Sequence, residues 1–194
     1  MLTKGAEMLE QLATYRRLVT LNDGLRVLIR PLTKADKEQL LKLFADAPQE
    51  DMDYFRSDAS DPKVVASWCD ELDYSKVFPL VAVVNDQIIG DATLHIGTGY
   101  NRHVGWVRLY LNHEFRRRGV GGLMLSGLID IARKVGLQQI LAEVVMNQVQ
   151  VIKAFQNLGF KHEFTFRDYF MTPQGETLDV ALLILRIVEN PTTF

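Results

Sequence analysis

Hydrophobic and polar positions repeat along this chain with two periods, and the periods predict its strands and helices. Alternation with a period near two predicts strands over residues 25–30, 80–84, 87–96, 104–111, 137–145, 162–170 and 177–187. Apolar residues at helical spacing predict helices that begin after Thr33, Asp61, Gly121 and Gln148. The pattern therefore predicts an α/β (α+β) fold with a mostly antiparallel sheet and helices on both of its faces.

The first 20 residues form a predicted extension to a single domain over residues 21–190. Apolar residues recur near helical spacing between residues 6 and 19, before Asn22-Asp23-Gly24 marks a turn. We interpret this segment as an amphipathic helix. Its apolar face must be covered by the domain or by a second subunit, so a homodimer is one expectation.

The segment from Ala47 to Ser60 is acidic, has few apolar residues and shows no clear period. We interpret it as a loop close to the functional face, because loops commonly carry specificity. Glu50, Asp51, Asp53, Asp58 and Asp61 would favour a cationic partner if they faced the site. The alternative is a solvated loop without that role.

Composition narrows the class of protein. The chain has 194 residues, 47% of them hydrophobic, and a net charge of −2, which gives no general attraction to nucleic acid or to an anionic membrane. No apolar run approaches the roughly 20 residues of a membrane span. The single cysteine, Cys69, cannot form an internal disulfide and lies in a helical pattern typical of core packing. With no secretory signal, we expect a cytoplasmic protein.

The clearest chemical signal is the loop Arg116-Arg117-Arg118-Gly119-Val120-Gly121-Gly122, which lies between a predicted strand and a predicted helix. Backbone N–H groups and the positive end of the helix dipole converge at such a junction and bind phosphate. The Walker pattern fails because no Gly-Lys-Ser/Thr follows. The dinucleotide pattern fails because Met124 stands at its third glycine.

This loop, with the strand Leu109 to Phe115 before it, resembles the GNAT superfamily of acetyl-CoA-dependent N-acyltransferases and its Arg/Gln-x-x-Gly-x-Gly/Ala motif. The segment from Ala154 to Phe160 resembles the family's helix that ends in Gly-Phe. The opening from Thr20 to Pro31 is also similar to GNAT domains of bacterial protein-lysine acetyltransferases. The resemblance covers about residues 20 to 188 and implies a sheet of six or seven strands with a V-shaped split for CoA.

The resemblance also assigns roles along that split. It implies that the diphosphate of CoA binds to Arg116, Arg117, Arg118, Gly119, Val120, Gly121 and Gly122. The backbone of Leu109, Tyr110 and Leu111 would pair with the pantetheine arm, and one N–H there would polarise the thioester carbonyl. Asn147 and Gln148 would line the other side. The implied reaction is direct attack of a neutral primary amine on acetyl-CoA in a ternary complex, with no metal and no nucleic acid involved.

The chain departs from the family pattern at its proton-transfer residues. Phe155 occupies the position where many members carry a tyrosine that protonates the leaving thiolate. Tyr169 and Tyr110 are the substitutes nearest by position. The strand 104–111 has no glutamate, so His103, Glu143 and Asp168 remain as candidate bases. An acyl-CoA-binding sensor with weak or no turnover is the alternative function. The acceptor, either a small amine or a protein lysine or N-terminus, stays open.

Overall fold

The computed structural model of the protein describes residues 12–55 and 58–187, and its centre is an eight-stranded sheet. The strands are β1 Arg17–Thr20, β2 Arg26–Pro31, β3 Val77–Val84, β4 Gln87–Ile96, β5 Val104–Leu111, β6 Gln139–Val145, β7 Lys161–Met171 and β8 Thr177–Arg186. They lie in the order β1-β2-β3-β4-β5-β6-β8-β7, and in this described sheet only β5 and β6 pair in parallel. The predicted mixed, mostly antiparallel sheet is confirmed, with one strand more than expected.

The additional strand corrects the C-terminal end of the helix predicted over residues 6–19. Residues 1–11 lie outside the described residues, but residues 17–20 form strand β1, which pairs with β2 from Arg17↔Ile29 to Thr20↔Arg26. The turn between them is closed by a hydrogen bond from Leu21 N to Leu25 O at 2.8 Å. Hairpin pairing with β2, together with the β-branched Val19 and Thr20, outweighs the helical spacing of the apolar residues.

Within residues 12–55 and 58–187, five α-helices cover the sheet: α1 Lys37–Ala45, α2 Gln49–Met52, α3 Pro62–Asp70, α4 Val120–Lys134 and α5 Val149–Asn157. Alternate residues of β3 belong to two separate cores. Val81 and Val83 pack in one core with the buried residues of α1 and α3, whereas Leu80 and Ala82 pack in the other with those of α4 and α5. Helices on both faces are therefore confirmed. Among the described helices, none has the length and apolar character needed to cross a membrane.

Local signals explain where several elements begin. Asp61 caps α3 by accepting a hydrogen bond from Lys63 N at 2.8 Å, and Pro62 occupies the first helical turn. Asn85 and Asp86 adopt positive φ angles of 47° and 61°, which suits the two-residue turn of the β3–β4 hairpin. Both features agree with the prediction from sequence.

Candidate active site

The sheet opens between β5 and β6, where a parallel pair of strands separates. Val104, Gly105 and Trp106 pair with Gln139, Ile140 and Leu141, and beyond these residues β5 and β6 no longer pair with each other along their described lengths. A cavity of about 1160 Å³ lies at this opening and is lined by the diverging ends of both strands. The predicted V-shaped split is therefore present.

Beyond Trp106, the edge of β5 that faces the split has no partner strand in the described sheet. Asn112 N donates to Ile89 O at 2.9 Å, so this residue points toward β4. Because backbone groups alternate in direction along an antiparallel pair, the N–H groups of Leu109 and Leu111 point away from β4 and into the split. The sequence analysis had indicated the backbone of residues 109–111 without saying which N–H groups face the split. The ladder singles out these two residues as donors.

The glycine loop connects β5 to α4 and forms one end of the cavity. Gly119 adopts a φ of 88° immediately before α4 begins, so this position favours a residue without a β-carbon. A β-carbon on Gly121 would lie 3.1 Å from Leu109 Cδ2, whereas Gly122 faces open space. The loop therefore brings the N-terminus of a 15-residue helix to the cavity with its backbone accessible.

The arginines and Val120 of this loop differ in where they point. Arg116 and Arg117 line the cavity, together with Gly119, Gly121 and Gly122. The Arg116 guanidinium donates to Asp51 Oδ1 at 3.0 Å, and its Nε donates to Leu111 O at 2.9 Å. Arg118 instead donates to Asp23 Oδ2 at 2.6 Å, and Val120 is fully buried in the core. Neither of these two residues lines the cavity.

The acidic segment 47–60 lies against the cavity, as its composition had suggested. The prediction of a loop throughout this segment is wrong, because Gln49–Met52 forms α2. Asp51, Tyr54 and Phe55 line the cavity wall. Tyr54 accepts a hydrogen bond from Asn147 Nδ2 at 3.0 Å, which bridges the two sides of the opening. Asn147 and Gln148 also line the cavity, on the side where they were expected.

Of the predicted proton-transfer residues, Glu143 and Tyr110 line this cavity. Glu143 lies on β6 two residues beyond Leu141, which pairs with Trp106, so it is level with Arg108 across the split. His103 is placed at the closed end of the split, where its carbonyl accepts from Gln138 N at 2.8 Å. Tyr169 is 55% exposed on the edge strand β7 and stacks on Phe166. Neither His103 nor Tyr169 lines the cavity.

Phe155, at the position where many family members carry a tyrosine, lies in an apolar environment. Phe155 is buried on α5, packs edge-on against Phe160 with ring centroids 5.0 Å apart, and contributes its ring to the cavity wall. Tyr110 is also buried. Burial, followed by the nearby Asp51 carboxylate, raises the pKa of Tyr110 to about 12. Its hydroxyl therefore stays protonated at neutral pH.

Strand β4 adds three polar residues that the sequence analysis missed. Asp91, Thr93 and His95 alternate along β4, so all three side chains point to the face that lines the cavity. Thr93 Oγ1 and His95 Nε2 lie 3.0 Å apart. Burial, helped by the charge of Arg108, lowers the pKa of His95 to about 4, so its ring is neutral at pH 7. The polar alternation in an otherwise apolar strand was the available signal.

A second, smaller cavity of about 320 Å³ adjoins the first. It is lined by His95, Trp106, Val107, Arg108, Leu141 and Glu143, four of which also line the larger cavity. Polar groups from three neighbouring strands therefore converge where the split begins. Among the described residues, no three histidine, cysteine or carboxylate side chains are grouped so that they could hold a metal ion.

Curated proteins and solved structures include several that are similar to this chain. The [ribosomal protein bS18]-alanine N-acetyltransferase of Salmonella typhimurium is 32% identical over 74 residues, which are 38% of this chain and 49% of that enzyme. The match therefore spans about half the length of that relative. The GNAT domain of S. lividans PAT is 24% identical, with a TM-score of 0.73 over 89% of this chain and 97% of that domain.

A further solved structure is yncA, a putative acetyltransferase from Salmonella typhimurium with its cofactor acetyl-CoA. It is 21% identical, with a TM-score of 0.70 over 85% of this chain and 96% of that one. At these identities, the solved structures show a common fold. The protein-family model described as "Acetyltransferase (GNAT) family" matches residues 38–160 of this sequence, which is more than half of the chain. The family's acyl donor is acetyl-CoA. The chain belongs to the acetyltransferase (GNAT) family.

Proposed function

We propose that this protein transfers the acetyl group of acetyl-CoA to a primary amine by direct attack in a ternary complex. The observation that carries the proposal is the unpaired edge of β5, which runs from the split into a glycine turn at the N-terminus of α4. A pantetheine arm can pair with that edge while the diphosphate binds the N–H groups of the turn.

Residue roles follow from these positions. Arg116, Arg117 and the backbone of Gly119 to Gly122 would bind the diphosphate. The N–H groups of Leu109 and Leu111 point to where the thioester carbonyl would lie, so they would stabilise the oxyanion that forms when the amine attacks. Such donors contribute a few kcal/mol in acyl transfer. Arg118 and Val120 would act indirectly, by holding the loop in place.

Glu143 is the residue we assign to remove the amine's proton, because it lines both cavities beside the opening of the split. The departing thiolate of CoA has no tyrosine donor at position 155. A thiolate is a tolerable leaving group near neutral pH, so this change would slow the reaction without preventing it. His103 and Tyr169 have no part in this assignment because they lie away from the cavity.

The acceptor is proposed as a primary amine of a small molecule or of a protein. The similarity to an enzyme named for a ribosomal-protein alanine makes a peptide N-terminus one candidate. The buried Cys69 and the absence of an internal disulfide support the expected cytoplasmic location. A homodimer stays a prediction, and the exposed Phe164, Tyr169 and Met171 on edge strand β7 are compatible with it.

The test is release of the CoA thiol from acetyl-CoA across a panel of amines, amino acids, peptides and a lysine-rich protein. The Gly121→Glu variant should lose release, because a carboxylate there would repel the diphosphate and crowd Leu109. Gln174→Glu adds the same charge on the distant β7–β8 turn and should retain it.

The alternative function is an acyl-CoA sensor, which the apolar Phe155 at the cavity wall favours. A sensor would bind acetyl-CoA without releasing thiol in the presence of any acceptor. Absence of acetyl-CoA binding would contradict both functions.

A further inference from the structure

The larger cavity extends beyond the split into a second region under helix α3. We name this region the α3 branch. It is lined by Trp68, Glu71, Leu72 and Asp73, from α3 and the segment after it, and by Pro79, Asp91, Thr93 and His95 from β3 and β4. Three of these eight residues carry carboxyl groups. Lys76, which also lines the cavity, is already paired with Asp73 at 3.2 Å. The α3 branch is therefore a carboxyl-rich extension of the candidate active site.

Asp91 is the most deeply placed of these carboxyl groups. Asp91 is only 8% exposed, and its Oδ1 atom is buried without a hydrogen-bond partner in the described structure. The other buried carboxylate, Asp36, is held by two hydrogen bonds from Arg30 at 2.7 Å and two from Thr33 at 2.8 Å. A buried polar oxygen without a partner is unfavourable, so it indicates a site that a ligand completes.

The groups around Asp91 do not supply the missing cation. Val81 on β3 and Tyr110 on β5 are the partners of Asp91 across the sheet. Cys69 of α3 lies close enough that, besides burial, the charge of Asp91 helps to raise the pKa of its thiol. Helix α1 contributes Leu40 and Phe44 to the same core. Burial raises the pKa of Cys69 to about 11, so this thiol is neutral at pH 7, as is the hydroxyl of Tyr110.

Arg108 is the nearest cation on the sheet face, but its register places it opposite Thr93, two residues from the level of Asp91. Consistent with a carboxyl group that lacks a cationic partner, burial raises the pKa of Asp91 to about 7. A cation bound in the α3 branch would reverse this effect and keep the carboxylate ionised at neutral pH.

We propose that Asp91 binds a second, positively charged nitrogen of the acceptor, one that is not acylated. The inference rests on the proposed amine acyl transfer and narrows its substrate class to amines with two basic nitrogens. The acylated nitrogen must be neutral to attack the thioester, so it cannot remain a cationic partner for Asp91. A nitrogen that keeps its charge throughout the reaction can.

The spacing of the strands suits such an acceptor. Asp91 and Glu143 lie two strands apart across the sheet and two residues apart along it, given the pairs Asp91↔Tyr110 and Trp106↔Leu141. Standard strand geometry then separates their backbones by at least about 12 Å. Both residues line the cavity, so their side chains can bridge part of this gap and leave room for a short diamine. One nitrogen can reach Asp91 while the other lies beside Glu143.

The experiment compares two ligands that differ by one charge. Calorimetric titrations of 1,4-diaminobutane and butylamine into the full-length protein, with and without CoA, give the ratio of their affinities at pH 8. The wild-type protein should prefer the diamine by about tenfold or more, because one nitrogen of the diamine can bind Asp91 while the other lies beside Glu143, whereas butylamine can occupy only one of these positions. Asp91→Asn should reduce this ratio to below about twofold, and the wild-type ratio should also fall at pH 6, where Asp91 is protonated.

Asp73→Asn is the control within the same branch, because Asp73 already has Ser75 and Lys76 as partners. It should keep most of the preference. Equal binding of the two ligands by the wild type, or an unchanged ratio in Asp91→Asn, would overturn the inference. These readouts do not require turnover. A failure of the proposed acyl transfer would instead appear as absent CoA binding or absent thiol release.

Discussion

Replacing Asp91 with asparagine should stabilise the protein at pH 8 and should remove a pH dependence that the wild-type protein shows. The carboxyl group is buried beneath α1 and α3, and burial raises its pKa from 3.8 to about 7. Asparagine has nearly the same shape and stays neutral at every pH. The variant therefore tests the charge on this side chain with little change in packing.

The magnitude follows from proton linkage. Above about pH 4 the unfolded chain releases the Asp91 proton, whereas the folded protein keeps it until about pH 7. The free energy of unfolding should therefore be highest below pH 4, fall as pH rises, and level off above pH 7. The two pKa values imply a total loss of about 4 kcal/mol, of which about 3 kcal/mol falls between pH 5 and pH 8.

Urea unfolding followed by circular dichroism at pH 5, 6, 7 and 8 measures this loss. The difference in unfolding free energy between Asp91→Asn and wild type should grow by about 3 kcal/mol over the series. Asp86→Asn makes the same chemical change at an exposed turn residue and is the matched control. Parallel curves for Asp91→Asn and wild type would refute the reasoning, because they would mean that Asp91 ionises alike in the folded and unfolded states.

Three further predictions concern stability. A β-carbon on Gly97 would lie 2.1 Å from Asn101 O, so Gly97→Ala should lower the free energy of unfolding by about 2 kcal/mol or more in thermal denaturation. Gly122 lies on α4 and faces open space, so Gly122→Ala should raise the free energy of unfolding by about 0.5–1 kcal/mol. Asp36→Asn breaks the pair with Arg30 and should lower the unfolding free energy in urea by about 3 kcal/mol at pH 7. Burial raises the pKa of Asp36, but hydrogen bonds from Arg30 and Thr33 outweigh it and lower the net pKa, so wild type should lose this contribution only below about pH 4. Asp61→Ala should cost about 1 kcal/mol and Asp61→Asn much less, because asparagine can still cap α3.

Local chemistry accounts for the features that could be predicted. Asp61-Pro62 began α3 as expected, and Asn85-Asp86 formed the β3–β4 turn. The loop from Arg116 to Gly122 was placed between a strand and a helix from residue types alone. Each signal acts within a few residues, so no knowledge of distant contacts was needed.

Residues 17–20 show where local chemistry was insufficient. Their apolar spacing also suits a helix, but they form β1 because β2 offers an edge with which to pair. In the same way, Arg118 and Arg116 have identical side chains in one loop. One is drawn to Asp23 and the other to Asp51, and those partners lie 95 and 65 residues away in the sequence.

The sequence by itself determined the family, the glycine loop at residues 116–122 and nearly all described helices and strands, because periodicity and turn chemistry act at short range. Only the tertiary structure decided which residues share the cavity. The pairing of β4, β5 and β6 brings Asp91, Arg108 and Glu143 onto one face of the sheet and leaves His103 at the closed end of the split. Register between strands depends on packing across the whole sheet, and burial, which sets the pKa of Asp91, is a property of that packing.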